Sequence, residues 1–395
     1  MKKINLQAKK LQSRQLPTIQ SIKNIKGKHI LVRVGFDVPI KFHQVVDDFR
    51  ITRSLLTIEY LKKKGAKVIL LSHIGHDGKE SLRAVANHFN RKLNIKVGFV
   101  PDIENPATKT IVNNMSDGSV VLFQNLRRYP GETTNNATFA KKLASFGDIY
   151  VNDAFSVSHR KHASIVGIPK YLPSYAGILF QEEVKHLSMA QQPKHPFLFI
   201  LGGAKIATKL PLLKKFLKIA DKVFVGGVLA NNLLRKKGIS VGKSRVDTQV
   251  KNLDKLIQQK NLILPYDVLI ANQKNGEVRS LKNISPREII VDVGPRTRKS
   301  FQDLISKHKF ILMNGPLGNY EDGYSKGTKK ILSVLSKSKA KVIVGGGDTV
   351  TLVSTMKLEK GFLFVSTGGG AMLDYLIDGK LPGIDALLES NNKQS

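Results

Sequence analysis

Short runs of Val, Ile, Leu and Phe recur along this chain. Each is followed by a polar or Gly-rich turn and then by a segment of helical periodicity, and this alternation constrains the fold more than any other feature. The apolar runs are residues 29–34, 67–71, 119–123, 148–152, 197–201, 222–225, 289–293, 309–313, 341–344 and 362–365. Helical patterns lie between them at 50–64, 137–146, 209–219, 296–307 and 325–336. Near-continuous apolar strands signal burial on both faces, and alternation with helices signals parallel pairing. The predicted class is therefore α/β, with doubly wound, Rossmann-like parallel sheets. At 395 residues the chain exceeds one ordinary core, and the polar helical stretch 179–196, closed by Pro193 and Pro196, is predicted to link two such domains. The predicted boundaries are 1–178 for the first domain and 197–380 for the second.

Composition removes several alternatives. The chain has no Cys, which excludes disulfides, thiolate metal sites, iron–sulfur clusters and a Cys nucleophile. No apolar stretch reaches the roughly 18 residues that a membrane span requires, and no apolar segment follows the basic start, so a cytoplasmic protein is expected. Lys and Arg number 64 against 30 Asp and Glu, a formal charge of +34, and 49 of the 64 are Lys. Such a field suits an anionic partner, yet the Lys are scattered, as on solvated helix faces, so no nucleic-acid partner is expected. The first twenty residues contain no acid and read as a flexible basic extension.

Ligands of open α/β sheets sit beyond the carboxyl ends of the strands, so the residues after each run are the candidate site. In the first half these are Gly35-Phe36-Asp37, Ser72-His73-Ile74-Gly75-His76, Gln124-Asn125-Leu126-Arg127 and Asp153 with His159-Arg160. In the second half they are Gly202-Gly203-Ala204-Lys205, Gly226-Gly227, Asn314-Gly315-Pro316, Gly345-Gly346-Gly347-Asp348-Thr349 and Ser366-Thr367-Gly368-Gly369-Gly370. The first half offers Arg and His, the second Gly clusters, Lys, Asp and Thr. A small anionic substrate on one domain and a nucleotide on the other would use this asymmetry.

Glycines before a helix let backbone N–H groups approach phosphate oxygens, and Asp348 can hold Mg²⁺ while Thr349 donates to a phosphate. The plainer alternative is a Gly-rich turn with a helix cap. Lys205 and Lys209, at i and i+4, are predicted to share one helical face and to favour an anion between them. The segment 238–244 resembles a Walker A loop but has three residues between its glycines rather than four, and it follows no clear strand. The pairs His73/His76 and His159/His162 lack a third ligand set, so phosphate contact is favoured over a metal role.

These motifs, in this order from about residue 21 to 388, resemble the phosphoglycerate kinase family. The resemblance implies two α/β domains joined by a helix, with the tail 381–395 packing back on the first domain. It implies reversible phosphoryl transfer from 1,3-bisphosphoglycerate to Mg-ADP, giving 3-phosphoglycerate and Mg-ATP, in a monomer. Arg50, His73, Arg127 and Arg160 would bind the glycerate substrate, and Arg50, Lys205 and Lys209 would stabilise charge on the phosphoryl group in flight. Gly226 and Gly227 would line the adenine pocket, and Glu321 would meet the ribose. Asn314, Asp348 and Thr349 would hold phosphates and Mg²⁺, with Gly203 and Gly345–Gly347 beside them. An acyl phosphate needs little activation, so positioning and charge neutralisation would carry the rate. Half-sites on separate domains would also require closure before reaction.

The departures from the family pattern lie mostly on the substrate side. Asp-Phe-Asn becomes Gly35-Phe36-Asp37, leaving Asp37 to supply the carboxylate of the pair that holds the glycerate hydroxyl. Ser-His-Leu-Gly-Arg becomes Ser72-His73-Ile74-Gly75-His76, placing His76 where a phosphate-binding Arg stands. Glu-Asn-Leu-Arg-Phe becomes Gln124-Asn125-Leu126-Arg127-Arg128, and Val228 replaces the third Gly of a triplet. An active kinase is expected. The alternatives are a kinase-like protein with another acceptor or no turnover, and a non-catalytic nucleotide or RNA binder.

Overall fold

The computed structural model describes residues 16–250, 253–272 and 276–392, so most of the basic N-terminal stretch lies outside the described residues. The chain divides into two compact units, Met1–Lys185 with Asp378–Ser395, and His186–Ile377.

The first unit is built on six parallel strands: β1 (His29–Arg33), β2 (Lys67–Leu71), β3 (Val97–Val100), β4 (Val120–Phe123), β5 (Ile149–Asn152) and β6 (Ser174–Ala176). Their order across the sheet is β3-β4-β2-β1-β5-β6. Four of the five residues of β1 are buried, as a strand covered on both faces requires. Helix α1 (Phe49–Lys63) presents Ile51, Ile58 and Leu61 to the core, and α2 (Arg83–Lys92) presents Val85, Ala86 and Phe89. Helix α3 (Ala137–Ala144) starts at Asn136, whose side-chain oxygen accepts the Phe139 N–H. The C-terminal helix Pro382–Asn392 belongs to this unit, through Gly383 N donating to Ser158 O and Ser390 Oγ donating to Leu172 O.

Helix α4 (Ile178–Ser188) contains the division between the units. It stops well short of Pro196, the end predicted from sequence. Gln191 instead gives its amide to Tyr375 O and Leu376 O, and Pro193 and Pro196 have no N–H with which to extend a helix.

The second unit carries β7 (Phe197–Leu201), β8 (Lys222–Val225), β9 (Leu262–Ile263), β10 (Asp267–Ile270), β11 (Glu277–Ser280), β12 (Ile290–Val293), β13 (Phe310–Asn314), β14 (Lys341–Gly345) and β15 (Phe364–Val365). Six of them form a parallel sheet in the order β9-β8-β7-β13-β14-β15. β12 reads from sequence as another parallel strand, and the structure corrects this. It pairs antiparallel with β10 in a separate sheet, β11-β10-β12. Among the described residues no crossover helix lies between β10 and β12, and a parallel pair cannot form without a crossover. The helices that position the site are α5 (Ile206–Phe216), α6 (Gly227–Lys236), α7 (Pro295–Ser306), α8 (Lys326–Leu335) and α9 (Gly347–Thr355). The chain leaves β7 for β8 on one side and returns as β13 on the other, which opens a crevice at their carboxyl ends.

Candidate functional site

In the first unit the loops after β1, β2, β4 and β5 are tied into one cationic cluster. Ser72 Oγ donates to Val34 O (2.9 Å) and accepts from Phe36 N (3.0 Å), clamping the first two loops together. Asp37 Oδ1 accepts the Gly75 N–H at 3.0 Å, and Asp37 O accepts Arg50 Nη1 at 2.9 Å. Arg127 donates to Gly75 O. Asn125 fixes the same loop by accepting from Ile74 N and donating to Ile74 O and Glu80 O. The Gln124 departure is structural: its side-chain oxygen accepts from Leu82 N and Asn125 N, and its amide donates to Ser81 Oγ.

Beneath the cluster lies a polar network that the sequence reading did not assign. Arg33 is fully buried, with Nε donating to Ser164 Oγ (2.9 Å), Nη1 to Val34 O (2.5 Å) and Nη2 to His73 Nδ1 (2.9 Å). The Glu132 carboxylate accepts both Ser164 N (2.9 Å) and Ser164 Oγ (2.6 Å), and Tyr150 OH donates to Ser164 O. Ser164 therefore couples a buried guanidinium to a buried carboxylate. Because Arg only donates, His73 carries its proton on Nε2, 3.9 Å from Asp37 Oδ2. Burial, reinforced by Arg33 and Arg127, holds the His73 imidazole far below the usual His range, so it is a neutral donor rather than a cation.

Arg127 is nearly buried, and its guanidinium is pushed down first by burial and then by the charge of Arg160. Two guanidiniums that raise each other's energy, with Asp37 as the nearby counter-charge, are stabilised by an incoming anion. His76 is exposed at the edge of this cluster and makes no described hydrogen bond.

In the second unit the predicted residues converge on the crevice between β7 and β13. Gly202 N donates to Asn314 O and Gly203 N to Pro316 O, locking the two strand ends together. Lys205 and Lys209 do not share a helical face. Lys205 is the extended residue before α5 and is exposed, whereas Lys209 lies inside the helix and is 8% exposed. Lys209 Nζ donates to Asn314 Oδ1, and burial pushes its ammonium down to about 8 against the attraction of Asp348. Asn314 is itself buried, with its amide nitrogen directed at Met372 Sδ at 3.4 Å, so its contacts hold Lys209 rather than reach outward.

The three glycines before Asp348 serve different ends. A methyl group on Gly345 would lie 2.2 Å from Met372 Sδ, so this Gly is required by packing. Gly346 takes φ +97 against the Gly315 backbone, and Gly347 faces open space. Helix α9 thus opens with free N–H groups and an acidic first turn, and the buried Thr349 Oγ1 has no hydrogen-bond partner. The Asp348 carboxyl is pushed up, first by the partial burial of its surroundings and then by Glu321, while Lys209 and Lys205 oppose the shift. A cavity of about 320 Å³ runs from Asp348 and Gly203 past Gly227 and Val228 to Glu321. The Walker-like stretch 238–244 is an edge loop: Gly242 bridges to Ile289, and Ser244 Oγ accepts Ile290 N.

Among the described residues no helix is long and apolar enough to cross a membrane, and no group of three or more His, Asp or Glu is gathered for a metal ion. The residues do fit one hard divalent cation bound together with phosphates. Asp348 is an oxygen donor beside a second acid, and a cation would relieve their mutual repulsion.

A guanidinium cluster on one parallel sheet, and a glycine-lined cavity with a buried Lys on another, define a phosphotransferase using a nucleotide substrate. The family model for phosphoglycerate kinase matches residues 19–380. A phosphoglycerate kinase of Coprothermobacter proteolyticus is 40% identical over 380 residues, covering 92% of this chain and 97% of that protein. One from Wolbachia sp. subsp. Drosophila simulans is 40% identical over 392 residues, covering 94% and 98%. The phosphoglycerate kinase structure from Coxiella burnetii superposes with a TM-score of 0.79 at 34% identity, covering 95% of this chain and 99% of that one. The chain belongs to the phosphoglycerate kinase family.

Proposed function

We propose that the first unit binds 3-phosphoglycerate and 1,3-bisphosphoglycerate and the second binds Mg-ADP and Mg-ATP, in a cytoplasmic monomer. The observation that carries this reading is the buried Lys209, fixed by Asn314 and close to Gly203 and Asp348, both of which line a nucleotide-sized cavity. Arg127 and Arg160 neutralise the substrate's anionic groups, and His73 donates a neutral hydrogen bond. Arg50, Lys205 and Lys209 stabilise the charge of the phosphoryl group in transit. Gly226, Gly227 and Glu321 hold the nucleoside, and the N–H groups of Gly347, Asp348 and Thr349 with the Thr349 hydroxyl hold phosphates. Asn314 acts as a positioning residue for Lys209. Asp348 would hold Mg²⁺, which when bound would neutralise charge on the phosphate oxygens. The attacking oxygen of ADP is already anionic, so no general base is needed in that direction.

Asp348→Ala tests the nucleotide side. Calorimetry of ADP binding with and without Mg²⁺ is expected to show a strong Mg²⁺ dependence in the unmodified protein and none in the variant. An unchanged dependence would place the metal elsewhere. His76→Arg tests the substrate side. An exposed guanidinium on the Gly75 loop is expected to tighten 3-phosphoglycerate binding by about 1–2 kcal/mol, since charge-assisted hydrogen bonds are worth about 1.5–3 kcal/mol before solvent screening. No gain would mean that His76 does not face the substrate phosphate.

A further inference from the structure

Gly35 begins the loop after β1. A methyl group built on its α-carbon would meet one atom within 4 Å, Ser156 Oγ at 3.1 Å. Ser156 sits in the short helical turn Phe155–Val157 that follows β5, and it is partly buried. Its hydroxyl has no hydrogen-bond partner among the described residues, although its neighbours are firmly held. Val157 N and Ser158 N donate to Ala154 O and Phe155 O, and Ser158 Oγ joins Asn152 Nδ2 to Ala154 O. A rigid backbone thus aims an uncommitted hydroxyl at the volume that a side chain at position 35 would fill. The family pattern places in this loop one carboxylate and one neutral amide, two positions apart. Here Asp37 keeps a single carboxylate, bound to Gly75 N, and Ser156 adds a single neutral polar group. The local charge is the same, and the two groups have exchanged places.

We infer that Ser156 binds the 2-hydroxyl of the phosphoglycerate, in the place of the carboxylate missing at Gly35. This rests on the first unit being the glycerate site. It also makes Ser156 a determinant of specificity, because a hydroxyl left facing a ligand without its partner group loses a hydrogen bond.

The test compares binding of 3-phosphoglycerate with that of its 2-deoxy analogue, 3-phosphooxypropanoate, by calorimetry. The unmodified protein is expected to favour 3-phosphoglycerate, and Ser156→Ala to shrink that preference by about fivefold to tenfold, the size of one neutral hydrogen bond. Analogue affinity and nucleotide affinity should not change. A merely structural Ser156 would instead weaken both ligands equally. Gly35→Asp alone is expected to weaken 3-phosphoglycerate binding, because its Cβ crowds Ser156, and Gly35→Asp with Ser156→Gly to restore it. Unchanged preference in Ser156→Ala, with normal 3-phosphoglycerate binding, would overturn the role of Ser156 alone. Failure of the unmodified protein to bind 3-phosphoglycerate would overturn the reading of the site and this inference with it.

Discussion

Lys209→Ala is expected to lower kcat by about 10²–10³ while leaving ADP affinity nearly intact. Removing one preorganised group aimed at developing charge costs that much in rate, because the interaction is stronger in the transition state than in the ground state. Burial gives this charge its weight. An exposed Lys is screened by water, whereas Lys209 is buried and held by Asn314 Oδ1. The same burial predicts a pH dependence. With its ammonium pushed down to about 8, Lys209 loses its proton as pH rises through that value, and kcat/KM for nucleotide should fall with it. Lys209→Arg, permanently charged, should lose this alkaline limb even where its rate is lower. The stability effect has the opposite sign. Between about 8 and the ordinary Lys value of 10.5 the unfolded chain binds more protons than the folded one, so folding gains stability as pH rises there. Steady-state kinetics with calorimetric nucleotide binding decide the matter, and equal losses of rate and affinity would make Lys209 a binding residue only.

Arg33→Met is expected to destabilise the first unit by about 3–5 kcal/mol, because it leaves a buried carboxylate without its compensating charge. Glu132 has no exposed surface, and its acceptors are engaged by Ser164, which would lose the Arg33 Nε donor. Arg33→Met with Glu132→Gln removes both charges and should recover a substantial part of the loss. Urea unfolding monitored in the first unit measures both. Equal loss in the single and double variants would show that packing, not charge, is at stake. His73 would also lose its Nδ1 donor in the single variant, so weaker glycerate binding should accompany the loss of stability.

Much of this was legible because doubly wound sheets write themselves as apolar runs. β1, β2, β7, β8 and β14 begin within the runs read from sequence, since the interior positions of strands covered on both faces are mostly apolar. Apart from β10 (Asp267–Ile270), the buried centre of the small antiparallel sheet, the strands that escaped notice are short or edge ones. β3 carries Gly98, β6 is Ser174-Tyr175-Ala176, β9 has two residues, and β11 is mostly exposed, so none needs a continuous apolar run. The geometry of the two Lys could not be read, because it depends on where α5 begins. A start one residue after Lys205 leaves that side chain outside the helix and turns Lys209 alone into the core. Arg33 did leave a signal. A charged residue in the run Ile30-Leu31-Val32-Arg33-Val34, on a strand covered on both faces, has to meet a buried partner. Ser164, and Glu132 reached through it, lie more than ninety positions away, and only the fold brings them to Arg33.

An intact nucleotide-side machinery and a first unit that, despite its departures, still accepts 3-phosphoglycerate together make an active kinase. A coupled assay with 3-phosphoglycerate and Mg-ATP at physiological salt, run beside other small carboxylates, measures this most directly. Saturable ADP formation that depends on 3-phosphoglycerate and exceeds the rate with every other carboxylate is the predicted result. No turnover with 3-phosphoglycerate, or a faster rate with another carboxylate, would contradict it.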